Sequence, residues 1–275
     1  MSRAVVFAYH NVGVRCLKVL LAHGVKVPLV VTHADNLAET VWFDSVAEAA
    51  PEYDIPCIRP DDANAPQVLA EVAAARPEFI FSFYYRQMLK KPLLDLAPRG
   101  AFNLHGSLLP KYRGRVPVNW AILHGERETG ATLHVMNEKP DNGAIVAQQA
   151  VPILPDDTAI EVFRKVTCAA EMCLDRALPA LLAGKAALLP QDLRQGAYFG
   201  GRKAEDGKID WSHDARRIHN LVRAVAPPYP GAFTRLAGLP LRILKTRVEL
   251  QKAGKAGFPA FFCENGRFFA ECADG

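Results

Sequence analysis

"AVVFAYHNVGVRCLKVLLAHGVKVPLVVTH", residues 4–33, holds three elements in a single short span. AVVFAYH is an apolar run of strand length, and VRCLKVLLAHG repeats apolar residues at helical spacing before stopping at Gly24. KVPLVVTH is a second apolar run. Strand, helix and strand in this order form a βαβ unit, whose two strands lie parallel and are buried on both faces.

The alternation continues with a helix near residues 43–50, a short strand at IPCIRP, a helix at APQVLAEVAAA and an apolar strand at EFIFSFYY. It predicts an α/β domain with a parallel sheet, whose ligands sit beyond the C-terminal ends of the strands. TLHVMN and AIVAQQAVPI read as two further strands flanking the turn-rich EKPDNG, and Thr158 with Glu161 form a capping-box pattern opening a helix toward Gly184. Residues 190–210 are polar and glycine-rich and read as a linker. Beyond it, DARRIHNLVRAV places Ala215, Ile218, Leu221, Val222 and Val225 on one stripe. The runs AFTRL, LRILKTRVEL and PAFFCENGRFFAEC follow, the last with an Asn265-Gly266 hairpin turn.

Composition narrows the function. The chain has 275 residues, half of them apolar, enough for one large domain or one with a smaller partner. There is no signal-peptide pattern and no long uncharged apolar run, so the protein reads as soluble and cytoplasmic, without membrane insertion. The six cysteines lie mostly in apolar patterns without a close CxxC, which argues for buried free thiols and against a zinc site or disulfide framework. The glycine fingerprint GxGxxG is absent, which argues against bound NAD. A net charge of +4 is too small to mark a nucleic-acid protein, and no Lys or Arg occurs from Val27 to Ile58, where Asp35, Glu39, Asp44, Glu48, Glu52 and Asp54 fall.

The chemistry concentrates in AFNLHGSLLPKYRGR, residues 101–115. On a strand Asn103 and His105 point to the same side, about 7 Å apart along the chain, so both can reach one small molecule. Asp141 lies at another predicted strand end and can converge on the same crevice. A carboxylate beside a histidine holds it in one tautomer and favours its charged form, and an Asn amide donates to an oxyanion. That set suits acyl transfer to an amine without a covalent intermediate. Ser107 follows directly without a nucleophile elbow. The plainer readings are a His that satisfies a backbone carbonyl, solvated charge at Arg113 and Arg115, and packing aromatics at Tyr84, Tyr85 and Trp120.

FNLHGSLLPKYRGRVPVNWAILHGERETGATLH, continued by DNGAIVAQQAVPI and later APPYPGAF, resembles the signature of formyltransferases that use 10-formyltetrahydrofolate. VVFAYHNVG, THADN, FSFYYR and SLLPKYRGR are closest to members acting on nucleotide-linked amino sugars. The resemblance covers nearly the whole chain. It implies a Rossmann-like catalytic domain over 1–189, a linker over 190–210 and a small β-rich, barrel-like domain of oligonucleotide-binding type over 211–275. The chain ends at Gly275, sooner than the family pattern leads one to expect, which leaves open whether the small domain is shortened.

By the same likeness the catalytic set is Asn103, His105 and Asp141. Folate would bind at Gln87, Met88, Leu89 and Arg115 and at the loop Asn137, Glu138, Lys139, Pro140 and Asp141, with no metal and no NAD. The implied partners are small molecules: the folate and a nucleotide amino sugar, with UDP-4-amino-4-deoxy-L-arabinose of lipid A modification as the acceptor. The rival within the family is methionyl-tRNA formyltransferase, whose basic insertion after the second strand corresponds here to the Lys- and Arg-free stretch. Two others are a non-catalytic folate- or nucleotide-binding module and a hydrolase that deformylates the folate. The exact sugar, its nucleotide and the oligomeric state stay open at this point.

Overall fold

The structure is a computed structural model and describes residues 1–35, 41–249 and 260–274. Asn36 of THADN, Glu39 of the acidic stretch, Leu250 of LRILKTRVEL and Pro259 of PAFFCENGRFFAEC lie outside the described residues. In chain order the first elements are β1 (Arg3–Ala8), α1 (His10–Ala22), β2 (Lys26–Val31), α2 (Val46–Ala49), β3 (Cys57–Ile58), α3 (Pro66–Ala74), β4 (Phe79–Phe83), α4 (Lys91–Leu94) and β5 (Ala101–His105). Next come β6 (Arg113–Gly114), α5 (Pro117–Leu123), β7 (Glu128–Val135), β8 (Ile145–Pro152), α6 (Ala159–Leu182) and β9 (Tyr198–Phe199). The chain closes with α7 (Ala215–Ala224), β10 (Ala232–Leu236), β11 (Leu239–Ile243), β12 (Phe261–Glu264) and β13 (Arg267–Ala270). It divides into two compact units, one of Met1–Arg115, Thr129–Val151 and Arg164–Phe199, the other of Val116–Glu128, Pro152–Phe163 and Gly200–Gly275.

The first unit is built on a seven-stranded sheet in the order β3-β2-β1-β4-β5-β7-β8. β1 pairs parallel with β2 and β4, β2 with β3, and β4 with β5, as the βαβ alternation requires. Strand order reverses between β1 and β4, which opens a crevice at their C-terminal ends. Ala4 to Phe7 and Phe79 to Phe81 are buried, so both faces of the centre are covered. Val5, Phe7, Leu29, Val31, Val68, Val72 and Ile80 form the core on one side.

Three features depart from the sequence-based expectation. β7 runs antiparallel to β5, with Asn103 opposite His134 and His105 opposite Thr132. An apolar strand carries no signal of its direction, and the connection from His105 to Glu128 returns at the end of the sheet where β5 stops. Helix α1 begins at His10, ahead of the apolar stripe, because the polar His10 and Asn11 that open it contribute nothing to the periodicity. The cysteines are free, but only Cys16 and Cys173 are buried; Cys168 and Cys263 are exposed, since a half-apolar pattern leaves one face of an element in solvent.

At the start of α6 both the Thr158 amide and its hydroxyl donate to Glu161 Oε2, at 2.7 Å each, so the backbone half of the capping box is present. Within residues 190–210, β9 pairs parallel with β6, Arg113 opposite Tyr198. In the second unit Asp214 caps α7 by accepting from the Arg217 amide at 2.7 Å. Ile218, Val222 and Val225 pack there with Ile209 and Ala232, which is the stripe read from the sequence. The buried Asn119 of α5 donates to the carbonyl of Ala224 at 2.7 Å. Two antiparallel hairpins follow, β10–β11 and β12–β13, the second turning at Asn265 and Gly266, both at positive φ. Among the described residues these are two separate two-stranded sheets.

Candidate active site

Asn103 and His105 stand on the same side of β5 at its C-terminal end, next to the end of β4. His105 is 6% exposed, and its Nε2 lies 2.8 Å from the carbonyl oxygen of Tyr112 in the loop that follows. A carbonyl only accepts, so Nε2 carries a proton and donates it there. The other ring nitrogen, Nδ1, faces Asp141 Oδ1 at 3.6 Å. The Tyr112 carbonyl thus fixes the ring through Nε2, and Nδ1 can donate toward Asp141 only when the ring carries a second proton.

Asp141 reaches the same place from the turn between β7 and β8, with its backbone at φ 53°, a left-handed conformation that Asp tolerates better than most residues. Its Oδ2 accepts from the Gly114 amide at 2.8 Å, and its Oδ1 lies 3.5 Å from His134 Nε2. The turn is held on both sides. A side chain at Gly143 would run into the Val135 carbonyl, so glycine permits the close approach. Gln191 donates to the carbonyls of Gly143, at 2.6 Å, and Asp141, at 3.1 Å.

Burial pushes the Asp141 carboxyl up, but the charge of His105, the neighbouring His134 ring and the Gly114 amide outweigh it and hold the group well below the usual carboxylate range. A carboxyl lowered in this way stabilises the fold above its unfolded value of about 3.9, and the contribution is lost as pH falls through the folded value. Asp141→Asn is therefore expected to unfold at lower urea than wild type near about pH 5.5, with the gap narrowing toward about pH 2. Coincident midpoints for the two proteins at the higher pH would contradict this account of the site.

His134 was not singled out in the sequence, yet it is 2% exposed and belongs to the cluster. Its Nε2 is 3.1 Å from Asn103 Nδ2 and its Nδ1 2.9 Å from the carbonyl oxygen of Val135. The signal was available: a histidine inside the apolar alternation of TLHV on a strand neighbouring Asn103. Gln191 was passed over because it falls in the polar stretch beyond α6.

The loop from Gly106 to Val116 is anchored by hydrogen bonds to the neighbouring strands. Thr132 Oγ1 donates to the Ser107 carbonyl at 2.6 Å and accepts from the Leu109 amide at 3.1 Å, and Gln148 donates to the Leu109 carbonyl at 2.8 Å. Ser107 is fully buried and donates to the Lys111 carbonyl at 2.6 Å, which leaves it a structural hydroxyl. Arg113 also has a structural use, its guanidinium donating to the Gly196 carbonyl at 3.2 Å, whereas the Arg115 side chain is exposed.

The other residues expected at the site fall in two places. Gln87 spends its side chain on the Ala63 amide and the Asp61 carbonyl, at 2.8 and 2.7 Å. Beside it Met88 is exposed, and Leu89 is buried in the core cluster against which Met136 packs. In the second loop, Asn137 closes a turn by accepting from the Lys139 amide at 2.9 Å, Glu138 and Lys139 are exposed and Pro140 is half-buried. Tyr85 stacks on His33 at 4.0 Å, and burial followed by Asp62 raises its hydroxyl to about 12. In the second unit Trp120 donates to the Gly200 carbonyl at 3.0 Å beneath the Arg202 guanidinium.

An amide donor, an oriented imidazole and a buried carboxylate gathered around His134 can stabilise a tetrahedral oxyanion and move a proton. Residues 13–178 match the formyl transferase family, and residues 202–275 match the formyl transferase C-terminal domain. The chain belongs to the formyl transferase family and is a formyl-transferring enzyme.

Among solved structures it is similar to the N-formyltransferase of Helicobacter canadensis in complex with folinic acid and dTDP-3-aminofucose, at TM-score 0.77 and 21% identity over 100% of this chain and 97% of that one. It is similar to WlaRD, a sugar 3N-formyltransferase solved with dTDP and 5-N-formyl-THF, at 0.77 and 22% over 100% and 95%. A 4-N formyltransferase from Francisella tularensis gives 0.70 and 19% over 90% and 99%. Among the described residues no group of three or more His, Cys, Asp or Glu is placed to hold a metal, and no helix is long and apolar enough to cross a membrane.

Proposed function

We propose that this chain transfers the formyl group of 10-formyltetrahydrofolate to the amino group of a nucleotide-linked amino sugar, with UDP-4-amino-4-deoxy-L-arabinose of lipid A modification as the acceptor to test first. The observation that carries the reading is the convergence of Asn103, His105 and Asp141 in one cluster at the C-terminal edge of the sheet. The similar solved structures, with folinic acid or 5-N-formyl-THF and dTDP or a dTDP-amino sugar, supply the substrate class. In this reading 1–189 is the catalytic domain, 190–210 a linker and 211–275 a small accessory domain, and the enzyme works in the cytoplasm without nucleic acid.

The residues present fit a folate. Asn142 Oδ1 is buried with no hydrogen-bond partner among the described residues, an acceptor beside Asp141 for the N–H donors of a pterin. Arg115 offers an exposed cation to the acidic tail, and Gln87–Leu89 and the loop 137–141 would supply backbone groups to the folate. The folate supplies the formyl carbon. Asn103 donates to the oxygen on which negative charge develops as the amine attacks, and His105 carries the proton lost by that amine toward the leaving nitrogen. Asp141, 3.6 Å from Nδ1, orients the His105 ring.

Against a tRNA acceptor, Asp44, Glu48, Glu52 and Asp54 are exposed in the stretch that lacks Lys and Arg. Given 10-formyltetrahydrofolate, the purified chain is expected to formylate UDP-4-amino-4-deoxy-L-arabinose or a close UDP- or dTDP-amino sugar and to leave methionyl-tRNA unmodified. A substrate held through several phosphates would lose about 10³–10⁵ in affinity between roughly 50 and 200 mM salt, whereas a sugar nucleotide making one or two such contacts loses about tenfold. Formylation of methionyl-tRNA with the steep salt slope, and no turnover of any amino sugar, would overturn the reading.

A further inference from the structure

We propose that His134 is a positioning residue that decides which atom of the Asn103 amide faces the reacting carbon; the proposal rests on the formyl-transfer reading above. Asn103 and His134 are directly opposite in the β5–β7 register, and opposed residues on antiparallel strands share a face with their Cβ atoms about 5 Å apart. His134 is 2% exposed, so its ring is shielded from bulk solvent.

The tautomer follows from those partners. Nδ1 lies 2.9 Å from the Val135 carbonyl, which only accepts, so Nδ1 carries the proton. In the neutral ring Nε2 is then a bare acceptor, and the group 3.1 Å away is Asn103 Nδ2, which only donates. One N–H of the amide is used there. The second N–H on the same nitrogen stays available to an oxyanion. Had His134 its proton on Nε2, the amide would turn to present Oδ1, and an acceptor would stand where the oxyanion needs a donor. Asp141 Oδ1, at 3.5 Å from the same Nε2, is the charged group that faces the ring, with His105 beyond it. Its greater distance makes Asn103 the nearer partner of that nitrogen.

This separates two roles that the geometry could have merged. Asp141 orients His105, and His134 orients Asn103. The antiparallel pairing of β7 is what brings the second histidine into line, since it sets residue 134 against residue 103.

The test starts from wild-type turnover of an amino sugar and compares His134→Leu, His134→Gln and each in an Asn103→Ala background. His134→Leu is expected to lower kcat about tenfold to a hundredfold, with KM for folate and sugar within about threefold. His134→Gln places an amide oxygen near the position of Nε2 and is expected to recover at least about half of that loss on a logarithmic scale. In the Asn103→Ala background His134→Leu is expected to cost nothing further, because the group it positions is gone. A folded His134→Leu with wild-type kcat, or an undiminished loss in the Asn103→Ala background, overturns the proposal.

A second readout needs no acceptor and no variant that folds: long-range proton–nitrogen correlation on wild type labelled with ¹⁵N-histidine. It is expected to show His134 protonated on Nδ1 with Nε2 bare at neutral pH, and a proton on Nε2 overturns the assignment. Should wild type turn over no amine at all, the proposed function fails while this spectrum still decides the role of His134.

Discussion

His105→Ala is expected to lower kcat for formyl transfer by about 10²–10⁴, the range that a positioned acid–base group contributes. The ring is buried, tied at Nε2 to the Tyr112 carbonyl and faced at Nδ1 by Asp141. The fold should survive, because the loop carrying Tyr112 is anchored independently through Thr132, Gln148 and Ser107. Leaving the Tyr112 carbonyl without its donor costs about 1–3 kcal/mol, or a Tm lowered by about 2–12 °C for a chain of this size. His105→Gln offers an amide donor to that carbonyl without a titratable group, and is expected to regain the Tm while remaining slow. Turnover near wild type in either folded variant would remove His105 from the proton-transfer step. Asp141→Ala is expected to be slow for a related reason, since it leaves the ring without its support.

Asn103→Ala is expected to lower kcat by about 10²–10³, which corresponds to roughly 3–4 kcal/mol for one oxyanion donor. The donor acts where charge develops, so KM for the folate is expected to stay within about threefold and the loss to appear in kcat. Asn103→Asp is the sharper variant. A carboxylate at that position would set a negative charge against the developing oxyanion and against Asp141, so it is expected to turn over more slowly than the alanine variant. Steady-state kinetics on the three proteins separate the cases. An aspartate variant as active as wild type would mean that the amide does not donate to the reacting oxygen.

Most of the parallel half of the sheet was legible in the sequence because its central strands β1 and β4 are buried on both faces and so read as uninterrupted apolar runs. Helix α7 was legible for the complementary reason, one apolar stripe on a charged background. Asn103 and His105 could be paired from their spacing on β5. The formyl transferase family rests on motifs within segments of chain that the family match also covers.

Strand direction at β7, the share of the cysteines that is buried and the roles of His134 and Gln191 were not legible, since each depends on residues distant in the chain. His134 stands 31 residues from Asn103, and nothing in TLHV says that the strand runs antiparallel to β5. Gln191 stands 48 residues from Gly143, whose carbonyl it holds. A single chain of residues states which side chains share a face of one element, because the periods of helix and strand are local properties of the backbone. It does not state which faces meet. The sequence by itself determined an α/β fold, a βαβ start and the residue types for acyl transfer. Only the tertiary structure decided that β7 lies against β5 in the register that places His134 beside Asn103, because sheet register is settled by long-range pairing and by what the connecting turns allow.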